Sequence, residues 1–440
     1  MTTPPDDLLT HLAAAPMPSA PGTIVAFSGG LDSSVLLHAL VALRVPGLRA
    51  CHVHHGLQAA ADDWAAHCER VAGSIGVPLQ ILRVVVDPQD PAGPEAAARA
   101  SRYAALRQSI GEGEVLATAH HRDDQAETVL LRLLRGSGVR GLSAIQRLSV
   151  FEPGLLWRPL LDLPRTVLLN YAQRHRLEWI DDPHNADVRY TRSWLRQQVM
   201  PQLRQRFAQL DANLSQAAAH AAETTELIDS LAGIDLADPA HAARPAGTLS
   251  VSSLLSLTPA RRRNLLRHWL QGKGHALPPA AMIDRITSEV LQAGTDAEPC
   301  LHWTGCELRR YRDALFAMTP LPPPPPADWV CPWSSGAVLS LPPGCGQLVA
   351  TAPPPLPVRI RLARAGERLR PDRQTTSRSF KNLFQEAGIP PWTRLRMPLI
   401  EHDGEPLLVP GLGLATHRGR QVLDSGWQVQ WQMTSDGVIR

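Results

Sequence analysis

The chain has 440 residues, 44% of them hydrophobic, which suits a globular protein of about three domains. Its 44 basic and 41 acidic residues leave a net charge of only +3, so bulk charge names no nucleic-acid partner, although 42 of the basic residues are arginines and any phosphate contact would rely on guanidinium forks. No apolar run reaches the ~18 residues of a membrane span, the first twenty residues lack the basic start and apolar centre of a secretory signal, and six scattered cysteines without a C-x-x-C suggest reduced thiols rather than a disulfide scaffold or zinc ribbon, so a cytoplasmic protein with no membrane partner is expected.

The first informative stretch is Thr23 to Phe27, a short apolar run of buried-strand type, followed by Ser28-Gly29-Gly30-Leu31-Asp32-Ser33-Ser34. Val35, Leu36, Leu37, Leu40 and Val41 then recur at helical spacing. A glycine-rich turn between strand and helix aims backbone N–H groups and the positive end of the helix dipole at one point, which suits phosphate. This is not the lysine-bearing G-x-x-x-x-G-K-[ST] loop, because no lysine precedes Lys273. Asp32 would repel phosphate unless a divalent cation lay between them. The simplest reading is Mg²⁺·pyrophosphate held by backbone amides and serine hydroxyls, with Asp32 as the metal ligand. Ser28 to Ser33 resemble the SGGxDS signature of the N-type ATP pyrophosphatases (PP-loop enzymes). The resemblance implies ATP cleavage between the α and β phosphates to adenylate an oxygen, with Ser28, Gly29, Gly30, Leu31, Asp32 and Ser33 binding ATP.

Further strands are expected at Leu48–Val53, Leu79–Val86 and Glu114–Ala119, and helices at Asp62–Ala72, Glu95–Ile110 and Val129–Leu134. This alternation predicts an α/β domain with a mostly parallel sheet covered by helices on both faces. Ligands in such folds gather beyond the carboxyl ends of the strands, where Ser28 to Ser33, His52 to Gly56 and His120 to Glu127 all fall. Asp124 and Glu127 lie three apart and share a helix face, so they could hold Mg²⁺ or the ammonium of an amine substrate, or simply complement the helix dipole. His54 and His55 fit equally well as hydrogen-bonded turn residues.

Several motifs appear together and in order: His52-Val53-His54-His55-Gly56-Leu57; Glu95 to Arg99 with Arg102-Tyr103; His120 to Thr128; Arg135-Gly136-Ser137-Gly138; Arg158-Pro159-Leu160-Leu161; and Asp181-Asp182-Pro183 with Asn185, Tyr190, Arg192 and Arg196. In combination they resemble the tRNA(Ile)-lysidine synthase family. His54, Gln58 and Ser193 depart from the residues common there. The resemblance implies ATP and Mg²⁺ as cofactors, with an isoleucine tRNA carrying a CAU anticodon and free L-lysine as substrates. Asp32, Asp124 and Glu127 are the implied catalytic group. His55, Arg102, His120, Asn185, Arg192 and Arg196 would line the lysine or cytidine side. A homodimer is compatible with this reading. A PP-loop tRNA 2-thiolase and a non-catalytic tRNA-binding protein are the alternatives.

Downstream, 202–231 reads as a long Ala-rich helix, and Leu265, Leu266, Trp269 and Leu270 share one helical face with arginines on another, either a solvated face or an RNA-facing patch. Pro320 to Pro326 reads as an extended connector. Between Val358 and Arg396, ten basic residues face three acidic ones, with Phe384 and Trp392 among them, the footprint of a nucleic-acid surface. Gly366 to Arg394 also resembles the C-terminal domain of the longer lysidine synthases, and Arg368, Arg370, Arg378, Lys381 and Arg394 are the candidate tRNA contacts. The expected domains are a catalytic domain over 1–205, a helical substrate-recognition domain over 206–320, a proline-rich linker region over 321–357, and a basic α+β tRNA-binding domain over 358–440.

Overall fold

A computed structural model describes residues 7–56, 60–86, 94–181, 187–294, 297–364, 366–374 and 376–433. The chain divides into two compact units, 1–227 and 228–440.

The first unit opens with helix α1 (Asp7–Ala14) and strand β1 (Thr23–Ala26), followed by α2 (Leu31–Ala42), β2 (Leu48–His54), α3 (Ala61–Ser74), β3 (Leu79–Arg83), α4 (Pro94–Ser109) and β4 (Val115–Ala117). Helices α5 (Arg122–Leu134) and α6 (Val139–Leu142), the hairpin β5 (Leu148–Phe151) and β6 (Gly154–Trp157), and α7 (Arg165–Arg174) complete the sandwich. The sheet order is β3-β2-β1-β4-β6-β5, with only β5 antiparallel. Successive residues of β1 feed opposite layers, as strand geometry requires. Val25 packs with Val35, Leu36, Leu40 and Tyr171, and Ile24 packs with Leu106, Leu116 and Leu156 on the other face. The expected mostly parallel sheet with two covered faces is therefore present.

Two boundaries differ from the sequence reading. Helix α5 starts at Arg122 rather than Val129, because the Asp124 side chain accepts the backbone N–H of His121 at 3.2 Å and so caps the helix about two turns earlier. The expected helix over 202–231 is broken: α8 (Thr191–Trp194) runs through a π turn at Leu195–Val199 into α9 (Met200–Arg206), Phe207 leaves the helical region, and α10 (Leu210–Ala237) starts anew.

In the second unit, β7 (Ala242–Ala243), β8 (Thr248–Ser250), α11 (Val251–Ser256), α12 (Pro259–Gly272), α13 (Ala280–Arg285), β9 (Cys300–Trp303), β10 (Cys306–Tyr311) and β11 (Ala314–Met318) follow in order. The middle region is thus not purely helical: its helices pack on a five-stranded sheet ordered β7-β8-β11-β10-β9. Leu265, Leu266, Trp269 and Leu270 are buried against Leu301, Leu308 and Leu315 of that sheet, so the apolar face of α12 was read correctly.

The linker region extends much less far than 321–357. Strands β12 (Val330–Trp333), β13 (Val338–Ser340) and β14 (Gln347–Ala350) lie inside it. They are followed by β15 (Val358–Leu362), β16 (Arg368–Leu369), β17 (Arg378–Ser379), α14 (Phe380–Glu386), α15 (Pro391–Arg394), β18 (Pro398–His402), β19 (Glu405–Val409), β20 (Leu414–Ala415), α16 (His417–Asp424) and β21 (Val429–Gln432). One sheet runs β12-β15-β18-β19-β20 and another β13-β14-β21, so residues 330–350 are built into the C-terminal α+β domain. Trp329, Trp333 and Leu348 join its core.

Candidate nucleotide-binding active site

Strand β1 pairs with β2 on one side and β4 on the other, while the chain reaches β4 only after β3. The strand order therefore reverses beside β1, and the crevice at that switch point is where open α/β sheets take ligands. The turn after β1 and the turn after β4 both open there.

The first turn is self-braced. Ser33 Oγ donates to the Gly30 carbonyl at 3.0 Å, accepts the Ser28 N–H at 3.2 Å and lies 3.0 Å from Ser28 Oγ. Gly30 is the N-cap of α2 and offers no side-chain cap, so the first-turn N–H groups remain available to an anion. Gly29 has φ +81°, and a Cβ there would come within 2.9 Å of Cys68 Sγ and 3.1 Å of Ile180 Cδ1, so both the backbone conformation and the space require glycine. The Ile180 N–H donates to the Gly29 carbonyl at 2.9 Å, which docks the 178–181 segment on the loop. Leu31 is buried in the core, leaving only its backbone to face a nucleotide.

Asp32 projects from the first turn of α2. Its Oδ1 has no hydrogen-bond partner among the described residues, and the Arg165 Nε stands 3.6 Å away. Its Oδ2 lies 3.7 Å from Nε2 of the buried His121. An orphaned carboxylate oxygen beside an amide-lined loop fits a hard divalent cation such as Mg²⁺, which takes oxygen donors.

The turn after β4 supplies the other half. His121 is flanked by Asp32, by Asp123 at 3.8 Å and by Asp124 at 3.4 Å. Burial works against its protonation, but these three carboxylates outweigh burial and raise the imidazole above its ordinary pKa. Asp124 and Glu127 share the α5 face as anticipated, and both are taken up by arginines. Arg192 reaches Asp124 at 3.1 Å and Glu127 at 3.2 Å; Arg196 reaches Asp124 at 3.0 Å and both Glu127 oxygens, at 2.6 and 2.8 Å. Burial of Asp124 favours its neutral form, yet the charges of His121, Arg192 and Arg196 hold its carboxyl at about 2. Glu127 is only 1% exposed, so it presents no open face to a metal or an amine in this structure. The structure brings the carboxylate pair read on α5 against two arginines of α8 and the π turn that follows it, 68 residues further along the chain for Arg192 and Asp124.

His55 accepts from Arg102 Nε at 3.3 Å, and its Nδ1 has no partner among the described residues. Burial first, and Arg102 second, push this imidazole down to about 4. His120 is pushed down to about 4 by burial against the raising field of Asp124, with its Nδ1 2.9 Å from Thr118 Oγ1. Both rings are therefore neutral near pH 7. Asn185 lies outside the described residues, as does Gln58. Sequence reasoning passed over His121 and Arg165. His121 sat inside the chosen His-Asp segment, whereas nothing in the local pattern marks Arg165.

The basic C-terminal segment is less open than its composition suggests. Phe384 and Trp392 are buried core residues, with Trp392 seated against Phe316 of β11. Arg361 sits between Glu367 and Glu401, and Arg396 is only 3% exposed. Among the five candidate contacts, Arg378 is paired with Glu386, and Arg394 donates to the Ile389 carbonyl at 2.7 Å and to Tyr311 Oη at 2.9 Å. Arg368, Arg370 and Lys381 are exposed, the first bonded to Ser377 and the second to the Gln374 carbonyl.

Comparison with known proteins matches three segments of the chain. A PP-loop domain matches residues 7–203, a TilS substrate binding domain 249–316 and a TilS substrate C-terminal domain 358–431. The chain is 43% identical to the tRNA(Ile)-lysidine synthase of Alkalilimnicola ehrlichii over 93% of its length and 94% of the relative's. It is 45% identical to that of Xylella fastidiosa strain Temecula1 (90% and 91% covered) and 41% identical to that of Pseudomonas aeruginosa (95% of each). Among the described residues no helix is long and apolar enough to cross a membrane.

Proposed function

Because the chain belongs to the tRNA(Ile)-lysidine synthase family, we propose that the crevice at the β1–β4 switch point adenylates the C2 oxygen of the wobble cytidine in a CAU anticodon and passes that carbon to free L-lysine. The observation that carries this reading is the amide-lined loop with Asp32 facing the carboxylate-flanked His121 and an arginine array across a single crevice.

In the first step the cytidine oxygen attacks the α-phosphorus of ATP and pyrophosphate leaves. The turn after β1 binds the phosphates through its first-turn amides and the Ser28 and Ser33 hydroxyls. Asp32 Oδ1 is the ligand offered to Mg²⁺, which when bound would neutralise charge on the departing pyrophosphate. Arg165, 3.6 Å from Asp32, and Arg196, within the field of the same carboxylate, bring positive charge to a loop that has no lysine, and Asp124 and Glu127 keep the guanidiniums of Arg192 and Arg196 oriented. In the second step the lysine ε-amine attacks C2, the C–O bond to AMP breaks, and a proton leaves the amine. His120, held neutral by burial and with its Nδ1 at the Thr118 hydroxyl, can offer Nε2 as a hydrogen-bond acceptor to the amine without repelling its ammonium form, while the neutral His55 ring accepts from and orients Arg102. Positioning two substrates against an activated carbon supplies much of the remaining rate gain.

A thiolase would need reactive sulfur at this crevice. The described thiols of the first unit, Cys51 and Cys68, are both buried, and burial pushes Cys68 up to about 12. We therefore favour lysine transfer in the cytoplasm, the compartment of tRNA maturation. The test is transfer of labelled lysine to unmodified isoleucine tRNA by the purified protein. Transfer that requires ATP and Mg²⁺ and disappears in Asp32→Ala is expected. ATP consumption without lysine transfer would overturn the assignment.

A further inference from the structure

Strands β9 and β10 form an edge hairpin closed by a tight turn at Thr304-Gly305, with Gly305 at φ +69°. Its register places Glu307 opposite His302 and Arg309 opposite Cys300. Leu301 and Leu308 point into the core, so the alternation of side chains puts Cys300, His302 and Glu307 together on the other face. Cys300 Sγ lies 3.1 Å from His302 Nε2, and His302 Nδ1 lies 3.6 Å from Glu307 Oε2. One ligand atom from each residue lies within 4.8 Å of the other two.

We propose that Cys300, His302 and Glu307 form a zinc site on this hairpin, separate from the catalytic crevice. A thiolate, an imidazole and a carboxylate are the borderline-soft donor set that selects Zn²⁺ over the hard cations Mg²⁺ and Ca²⁺. Three protein ligands leave a fourth position to water, and the 59% exposure of His302 gives that position a path to solvent. Glu307 is almost fully buried, with its Oε1 held by Arg309 and its Oε2 turned towards His302. A ligating carboxylate is usually held in this way by a hydrogen bond to its other oxygen. Binding would displace the Cys300 thiol proton to solvent and staple an edge strand to its neighbour. No C-x-x-C marks the site, since its ligands follow the hairpin register, Cys-x-His on one strand and Glu on the next.

Chelator-treated, untagged full-length protein should be titrated with Co²⁺ and then Zn²⁺. One equivalent of Co²⁺ should produce a thiolate charge-transfer band in the near ultraviolet that Zn²⁺ abolishes. Cys300→Ser should remove the band and Cys331→Ser should keep it. His302→Ala should weaken binding by more than the ~10–100-fold that loss of an outer-shell partner costs. Circular dichroism would show that each variant is folded. No band in the parent protein, a band that survives Cys300→Ser, or unchanged affinity in folded His302→Ala would each overturn the site.

Discussion

Glu127 illustrates how a residue found in the sequence gains partners that the sequence does not show. Its spacing from Asp124 pointed to one shared face, and the face exists, but both oxygens are occupied by guanidiniums that only the folded chain brings near. Glu127→Gln should cost the low end of the ~3–5 kcal/mol expected for breaking a buried ion pair, since Arg196 is 40% exposed. It should lower kcat by releasing the two arginines while leaving the KM for lysine near that of the parent. A selective rise in lysine KM would instead make Glu127 a direct contact to lysine. A second residue-level prediction follows from His55 and His120, each held at about 4 against an ordinary value of 6.5. Between those values the unfolded chain binds protons that the folded one refuses. Their stabilisation is thus complete above the ordinary value and is lost as pH falls towards about 4, by on the order of 2 kcal/mol for each ring. The urea midpoint should drop between about pH 7.5 and about pH 5, and His55→Gln with His120→Gln should flatten that drop. An identical drop in the double variant would show that other groups cause it.

Among the elements, the turn between β1 and α2 was the most legible, because a phosphate loop is local: strand, glycines and helix all lie within twenty residues. The start of α5 was harder, since a carboxylate reaching back to the His121 N–H is a capping choice that apolar periodicity does not report. The middle sheet was hidden for a related reason: β7, β8 and β9 span only 2, 3 and 4 residues, too few to establish an alternating pattern beside the strong helical face of α12. The two loop glycines make a sharp comparison. Gly29→Ala should raise the Kd for ATP by at least tenfold, from a strained positive φ costing roughly 1–2 kcal/mol and a contact with Cys68. Gly30→Ala should change it little, because φ is −78° and the nearest atoms to a Cβ lie at 3.5 and 3.7 Å. Equal losses at the two positions, measured by nucleotide binding, would refute this account of the turn.

For the whole molecule, composition located a basic C-terminal segment but could not say which cations face water. Arg361, Arg378, Arg394 and Arg396 hold the fold together, whereas Arg359, Arg364, Arg368, Arg370, Arg373 and Lys381 are exposed. Cutting the chain at Val358 is a poor test of their role, because β15 lies between β12 and β18 and β21 pairs with β14. Neutralising the six exposed cations to glutamine leaves these sheets intact. It should weaken tRNA binding and flatten its dependence on salt by up to about 4–5 in logarithmic slope, if each meets a phosphate. An unchanged slope would mean that this surface does not grip tRNA.

The central claim, that this crevice joins lysine to the wobble cytidine through an adenylated intermediate, is tested most directly on the RNA product. Unmodified isoleucine tRNA incubated with the protein, ATP, Mg²⁺ and isotopically heavy lysine should be digested to nucleosides and analysed by mass spectrometry. The account predicts one modified nucleoside per tRNA, a cytidine from the wobble position whose C2 oxygen is replaced by heavy lysine, with AMP and pyrophosphate released in equal amount. A cytidine that stays unmodified while ATP is cleaved, or one that gains sulfur instead of lysine, would contradict it.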